Sequence, residues 1–262
     1  MKRLDARLFV LGNNLLLLGF GLVLFALQRS AAQIVSSIGA AIAVELLFSV
    51  RKLRAAPDVR ALVKDRVLSA SVAGVSLLIL LRSTEPWFYP AVAALAITSK
   101  YVLRTPRGHL FNPTNFAIVA ALALVPDSLQ VRPDQFSSSP WLMVMTVAFG
   151  VAATSVGAVW RCTAGYYATV LLVGLPVGTL LLHVKPLWIL VPELNTSTLI
   201  FAFLMITDPR TTPRGHRSQL LFGGLVALVH LWMRSQQLVY SPFIALFVVT
   251  ALRSAKTPGR PE

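Results

Sequence analysis

The chain has 262 residues, 56% of them hydrophobic, and its 24 Lys and Arg against 10 Asp and Glu give a formal net charge of +14. A soluble domain would spread these charges over its whole surface. Here most of them fall in the breaks between about ten apolar segments, which is typical of a polytopic membrane protein and not of a soluble globular domain. No basic stripe with interleaved aromatic residues is present, so the charge points to anionic lipid as partner and not to nucleic acid.

Few residues of the chain are suited to metal binding or nucleophilic catalysis. Cys162 is the single cysteine, which excludes an intrachain disulfide and an iron–sulfur cluster held by this chain alone. The four histidines are far apart in sequence and show no spacing typical of a metal site. The sequence also lacks a Ser/His/Asp triad signature, a P-loop and a Rossmann fingerprint. We therefore predict no metal site and no catalytic residue.

The apolar segments predict ten membrane-spanning helices in a single transmembrane domain, residues 1–262. Several segments are shorter than the roughly 20 residues that cross hydrocarbon, which is tolerated where protein covers them. The first segment is longer than the apolar region of a signal peptide and is followed by no clear cleavage site, so we expect an uncleaved span. The predicted spans are 8–27, 32–50, 66–82, 87–103, 112–126, 141–160, 164–183, 190–207, 218–234 and 237–252.

Positive charge is sorted into alternate breaks. Of the 24 Lys and Arg, 19 fall in the set of ends and loops that includes both termini. Because basic residues are retained on the cytoplasmic side, we predict a multi-pass protein of the inner (plasma) membrane with both termini cytoplasmic. The longest outer loop is then Asp127–Pro140. The five basic residues on the predicted outer side are Arg29, Arg82, Arg132, Lys185 and Arg234.

Two polar features lie inside predicted spans, where polar residues are costly and need a reason. Glu45 precedes Arg51 by about 9 Å along a helix, so it either pairs at the cytoplasmic edge or belongs to an ion pathway. In the run Pro192–Thr198, we expect Pro192 to begin a helix with Glu193 in its first turn. The further polar residues exceed the needs of a cap and would line a cavity for an ion or a cofactor edge. The candidate ion-pathway residues are Glu45, Glu193, Asn195 and Thr198.

Two breaks on the predicted cytoplasmic side share the sequence Thr-Pro-Arg-Gly-His, at 105–109 and 212–216. The first leads into Asn112-Pro113, a helix-start signal whose free N–H groups attract anions. The second follows Asp208-Pro209, which ends span eight because proline disfavours helix in the residue before it. The two copies are either similar turns or a shared basic pocket for a phosphate or a quinone head group, and the sequence leaves both interpretations open.

The two breaks resemble those of a known family, which comprises the membrane proteins RnfD of the Rnf electron-transport complex and NqrB of the sodium-translocating NADH:quinone reductase. The residues of the two stretches are most similar to those of a compact branch of the family found with enediyne biosynthesis clusters, called UnbU. The residues that match the family's Gly-Lys…Gly-Gly-x-Gly…Phe-Asn-Pro-Ala stretch are Lys100, Gly108, Phe111, Asn112 and Pro113. The residues that match its Met-x-Thr-Asp-Pro…Pro stretch are Met205, Thr207, Asp208, Pro209 and Pro213.

The resemblance implies an all-α fold of ten helices in two inverted five-helix halves, 1–126 and 140–252, as in urea transporters. It implies flavin and quinone chemistry coupled to ion movement, in one component of a membrane oxidoreductase complex with other membrane or peripheral redox subunits. Larger members attach FMN to the Thr of a Ser-Gly-Ala-Thr motif, but Asp127–Pro140 and Ser155–Val159 contain no threonine. We therefore expect FMN, riboflavin or a quinone to be bound non-covalently. The expected cofactor-binding residues are Lys100, His109, Asn112, Thr207, Asp208 and Arg214.

The leading hypothesis from the sequence is a membrane electron-transfer subunit, in which the chain binds and orients the cofactor. A second hypothesis is a cofactor-free transporter of a small solute or an ion on the same fold. A third is a membrane anchor for a redox or biosynthetic partner. The sequence alone does not separate the three.

Overall fold

The computed structural model describes residues 4–83, 85–106, 108–131, 136, 139–238 and 240–255. Within these ranges the chain is nearly all helical, which confirms the predicted all-α class. Turns of π-helix continue the seventh helix to Leu181 and the ninth to Met205. The helices are α1 (Ala6–Leu24), α2 (Ala31–Arg54), α3 (Val59–Leu80), α4 (Phe88–Val102), α5 (Pro113–Leu124), α6 (Pro140–Val156), α7 (Trp160–Thr169), α8 (Pro186–Glu193), α9 (Thr196–Ile200), α10 (His216–Ser235) and α11 (Ser241–Ala255).

In the part of the chain that the structure describes, four two-residue strands form two antiparallel pairs. β1 (Leu81–Arg82) pairs with β4 (Gln130–Val131), and β2 (Arg104–Thr105) pairs with β3 (Gly108–His109). The second pair is a tight hairpin between α4 and α5, and Gly108 has a φ of 140°, a conformation that residues with a side chain rarely adopt. Arg107, and residues 132–135, 137 and 138 of the predicted outer loop, lie outside the described residues.

Each predicted span other than the eighth overlaps a single helix, although α3 begins at Val59, seven residues before the predicted start of its span. The eighth is broken, because α8 ends at Glu193 and α9 begins at Thr196. The prediction that Pro192 begins a helix is therefore wrong, since Pro192 lies in the last turn of α8. Asn195 marks the true start, because its side chain accepts the N–H of Thr198 at 2.8 Å and caps α9.

Three helices of the described chain are long and apolar enough to cross a membrane: α1, α2 and the continuous helix Trp160–Leu181. The pair α8 and Thr196–Met205, bent by 56°, makes a fourth if the two parts count as one span. α5, α6 and α11 are apolar but shorter. The fold thus contains several apolar helices that could span a membrane, whereas ten crossings remain a prediction.

The helices pack so that three segments distant in sequence meet. α2 packs against α3 and α4, α7 packs against α10, and α1 lies against α3 and α6. The α7–α10 crossing is close, because a Cβ on Gly223 would overlap the backbone carbonyl of Cys162. α4 also packs against α5, and α6 packs against α9. These contacts bring together the end of α4, the start of α5 and the end of α9.

Candidate functional site

A cavity of about 330 Å³ lies where α4 ends, α5 begins and the chain leaves α9. Residues of α1, α3 and α6 complete its wall. The apolar part of the lining includes Val10, Val72, Ala153 and Phe203. The polar part is contributed mainly by Lys100, His109, Asn112, Thr207, Asp208 and Arg210.

Asn112 fixes the start of α5 at the edge of this cavity. Its side-chain oxygen accepts the N–H of Asn115 at 3.1 Å, and Pro113 is the first helical residue, which confirms the helix start predicted from the sequence. The Asn112 amide also donates to the carbonyl of Met205 at 3.3 Å. One side chain therefore caps α5 and ties it to the end of α9.

His109 and Asp208 form a second link across the cavity wall. His109 Nε2 lies 2.8 Å from Asp208 Oδ2, and the backbone N–H of Arg210 donates to Asp208 Oδ1 at 3.0 Å. Burial raises the pKa of the Asp208 carboxyl, but the His109 and Arg210 hydrogen bonds outweigh it and hold that pKa below its ordinary value. Asp208 is therefore a carboxylate at neutral pH, and it holds the β2–β3 hairpin against the turn after α9.

Lys100 joins the cavity to a buried carboxylate on α2. Its Nζ lies 2.7 Å from Glu45 Oε2 and 2.9 Å from Ser69 Oγ. Glu45 is fully buried, and its Oε1 accepts from the Tyr101 hydroxyl at 2.8 Å, with Arg66 at 3.5 Å. Glu45 is thus paired with two cations, which is one of the two roles that the sequence left open for it.

A second buried carboxylate, Glu193, lies at the break between α8 and α9. Its Oε1 is 2.9 Å from His230 Nε2 and 2.7 Å from Arg234, and its Oε2 accepts from Tyr166 at 2.8 Å. Arg234 also donates to the carbonyl of Trp188 at 2.8 Å. That carbonyl lies four residues before Pro192, which has no N–H to offer it. Arg234 therefore stabilises the broken helix as well as the carboxylate.

Five of the six expected cofactor-binding residues line the cavity, and Arg214 does not. Both arginines are exposed, but Arg210 lies in the cavity wall, whereas Arg214 lies on the segment that leads into α10. The reason is the turn after α9, in which the Thr212 hydroxyl donates to the carbonyl of Asp208 at 2.7 Å. This turn closes next to the cavity and carries the chain away from it before residue 214.

The two Thr-Pro-Arg-Gly-His copies do not build one shared pocket from their described residues. His109 of the first copy is buried against Asp208, whereas His216 of the second is exposed at the start of α10. The first copy forms the β2–β3 hairpin, and the second supplies Gly215 immediately before a helix. They are two different turns with the same sequence.

Asn195 and Thr198, expected in an ion pathway, bond to the backbone at the helix break. The Asn195 amide donates to the carbonyl of Pro192 at 2.7 Å, and the Thr198 hydroxyl donates to the same carbonyl at 2.8 Å. The break itself thus accounts for both side chains.

Sequence reasoning missed several partners of the two carboxylates. Tyr166, His230 and Arg234 contact Glu193, while Arg66 and Tyr101 contact Glu45. A signal was present for one pair, since His230 and Arg234 are four residues apart and so share a face of α10, whose residues from 220 to 233 are otherwise apolar. The tyrosines carried no such signal, because an aromatic residue in an apolar helix usually belongs to the core.

Comparison with models of known protein families gives no match, and comparison with curated proteins gives none either.

Proposed function

We propose that this chain is a membrane electron-transfer subunit that binds a flavin or quinone non-covalently in the cavity between α4, α5 and the end of α9. The observation that supports this most is the joint contribution of Lys100, His109, Asn112, Thr207 and Asp208, from two distant stretches, to one cavity. These stretches carry the resemblance to the family of RnfD and NqrB. A cavity of this volume is within the range of small-molecule sites.

The lining fits a flat ring with polar edges better than it fits a free anion. Cationic groups such as Lys100 and Arg210 are accompanied by the carboxylates of Asp5 and Asp208, so donors and acceptors are both present. Phe203 and Val72 supply apolar surface for a ring face. An isoalloxazine or quinone head group has this combination of carbonyl acceptors and an apolar face.

The protein's part would be to hold and orient the bound group. The flavin or quinone supplies the redox chemistry when bound. Lys100 and Arg210 would donate to its carbonyl oxygens, and the N-terminal end of α5 would favour partial negative charge there. Asp208 would keep His109 in position through their hydrogen bond.

We further propose that the chain crosses the membrane ten times, as two inverted five-helix halves with both termini cytoplasmic. The helix contacts support two halves. In the first half α2 packs on α4 and α4 packs on α5. In the second half the corresponding helices pack in the same way, α7 on α10 and α10 on α11. The first helices of the two halves, α1 and α6, contact each other, and so do the last helices, α5 and α11. Contacts between corresponding helices are expected if the two halves are related by a two-fold axis. Partner redox subunits would exchange electrons with the bound group.

A cofactor-free transporter is the alternative, and one observation favours it. Each proposed half contains a buried carboxylate, Glu45 or Glu193, surrounded by cations and a tyrosine. Buried ionisable residues in membrane proteins often mark ion pathways. A membrane anchor for a partner enzyme would need neither the cavity nor the carboxylates.

Flavin binding tests the proposal directly. The absorbance spectrum of the purified protein should show bound flavin or quinone, and riboflavin added to the protein should lose fluorescence as it binds. Arg210→Gln should weaken riboflavin binding about tenfold, since one charge-assisted hydrogen bond contributes about 1.5 kcal/mol. Arg214→Gln is the matched control, because Arg214 is exposed and outside the lining.

The controls separate the alternatives. A colourless, quinone-free protein that does not bind riboflavin would contradict the redox proposal and favour transport. Equal weakening by Arg210→Gln and Arg214→Gln would show that general positive charge, and not this cavity, attracts the flavin.

A further inference from the structure

Both carboxylate oxygens of Glu193 already accept hydrogen bonds from protein donors. Oε1 accepts from His230 and Arg234, and Oε2 accepts from the Tyr166 hydroxyl. The backbone carbonyl of Glu193 is also occupied, because the Tyr167 hydroxyl donates to it at 3.1 Å. Sodium binds through several oxygen ligands, and here every oxygen of Glu193 faces a donor.

Among the described side chains that contact Glu193, His230 is the one with an imidazole ring, which can carry a proton on one or both of its nitrogens. Its Nε2 faces Glu193, and its Nδ1 lies 3.0 Å from the Ser241 hydroxyl. A neutral imidazole carries one N–H, whereas an imidazolium donates from both nitrogens. Glu193 Oε1 can only accept, whereas the Ser241 hydroxyl can accept or donate, so the two positions suit the doubly protonated ring as well as the neutral one.

We propose that His230 is a buried proton-binding site, in which Glu193 is the counter-charge and Ser241 accepts from the second ring nitrogen. Loading takes one proton from water onto the imidazole, and release returns it to water, so no other reactant is needed. With Glu193 ionised and Arg234 charged, the cluster has no net charge when the imidazole is neutral and a net charge of +1 when the imidazole is protonated. The ligand of this site is a proton and not a sodium ion.

The charged and titratable groups around His230 come from α7, α8 and α10, and α11 contributes the Ser241 hydroxyl. Tyr166 and Tyr167 face the cluster from α7, Glu193 from α8, and Arg234 from α10 itself. Arg234 is 30% exposed while Glu193 is 2% exposed, so the guanidinium lies at the cluster's boundary. A proton would reach His230 past this side chain.

The Glu45 cluster offers a contrast within the same chain. Its basic partners are Lys100 and Arg66, and no histidine contacts Glu45 among the described residues. Of the two carboxylates Glu45 and Glu193, only Glu193 therefore has a histidine that can take up the proton. The Glu193 cluster does not line the cavity and lies beyond the proposed function. Flavin binding could therefore fail while His230 binds a proton, and His230 could fail to bind a proton while flavin binds.

Nuclear magnetic resonance of protein with ¹⁵N-labelled histidine in detergent micelles tests the site without any cofactor. His230→Gln assigns the His230 signals by their loss. We expect those signals to pass from the neutral to the doubly protonated pattern as the pH falls. In Glu193→Gln this change should move to lower pH by about one unit or more, because the anion that stabilises the imidazolium is gone.

Exposed His216 on the same helix is the internal control, and its signals should be the same in both proteins. Replacing K⁺ by Na⁺ at constant ionic strength should leave the His230 signals unchanged. If Glu193→Gln does not fold, Ser241→Ala replaces it and should move the change in the same direction. A His230 that keeps one protonation state throughout, or one that responds to Na⁺, would overturn the proposal.

Discussion

Lys100 Nζ lies 2.7 Å from Glu45 Oε2, and the same lysine side chain lines the cavity. An ammonium group has three N–H donors. Two of them are directed at Glu45 and Ser69, which leaves one for a bound molecule. A ligand carbonyl in the cavity would therefore share Lys100 with the buried carboxylate of Glu45. A charge on the ligand would then change the electrostatic interaction between Lys100 and Glu45.

Breaking the Glu45–Lys100 pair from either side should destabilise the fold strongly. Lys100→Met or Glu45→Gln alone leaves a buried charge without its closest partner, which costs about 3–5 kcal/mol. The double variant removes both charges and should lose less than the sum of the single losses. Unfolding titrations with denaturing detergent would measure the free energies.

Lys52→Met on the exposed end of α2 is the control for this cycle, and it should change the free energy of unfolding little. Additive losses in the double variant would show that Glu45 and Lys100 act independently, which contradicts the contact.

Asp208→Asn should remove a pH-dependent contribution to stability. The folded pKa of Asp208 lies below its ordinary value. Its stabilisation is therefore complete above the unfolded pKa of about 3.9 and is lost as the pH falls through the folded value. Wild type should exceed Asp208→Asn in thermal unfolding temperature at neutral pH, and the difference should shrink in acid.

Asp58→Asn is the matched comparison, because Asp58 is an exposed helix cap and Asn caps as well. A difference between wild type and Asp208→Asn that persists unchanged in acid would mean that the Asp208 charge contributes nothing.

The sequence predicted the positions of the helices well and the site in part, for physical reasons. Apolar periodicity and caps such as Asn112 are local, so the start of α5 could be predicted. Arg210 could not be chosen over Arg214, because which one lies at the cavity depends on a turn closed by Thr212. The partners of Glu193 come from α7 and α10, and such contacts depend on tertiary packing that single-sequence periodicity does not contain.

Gly223→Ala should prevent normal packing of α7 against α10. The added methyl would overlap the Cys162 carbonyl, a backbone atom that cannot rotate away. Overpacking of this kind typically costs about 1–3 kcal/mol and occasionally more. Thermal unfolding temperature and the monodisperse fraction in size-exclusion chromatography would both fall. Gly19→Ala has no atom within 4 Å of the new methyl and should be tolerated; equal effects of the two changes would contradict the close crossing.

The predicted sidedness can be tested with two single cysteines. Asp58 and Asp127 are exposed in loops that the charge pattern places on opposite faces, and native Cys162 is buried. An impermeant maleimide added to intact cells should label Asp127→Cys and spare Asp58→Cys until the membrane is permeabilised. Labelling of both from the outside would contradict the ten-span arrangement with cytoplasmic termini.

Filling the cavity should abolish riboflavin binding without unfolding the protein. Ala153 on α6 is 5% exposed and lines the cavity, so Ala153→Phe would occupy part of the space that a ring needs. Val151→Phe is the matched control, because Val151 lies two residues away on the same helix and is 49% exposed. The two variants introduce the same side chain on one helix, once in the buried cavity wall and once on the exposed surface. A loss of riboflavin binding confined to Ala153→Phe is therefore attributable to the cavity. Riboflavin binding retained by Ala153→Phe, in protein with an unchanged unfolding temperature, would place the flavin elsewhere.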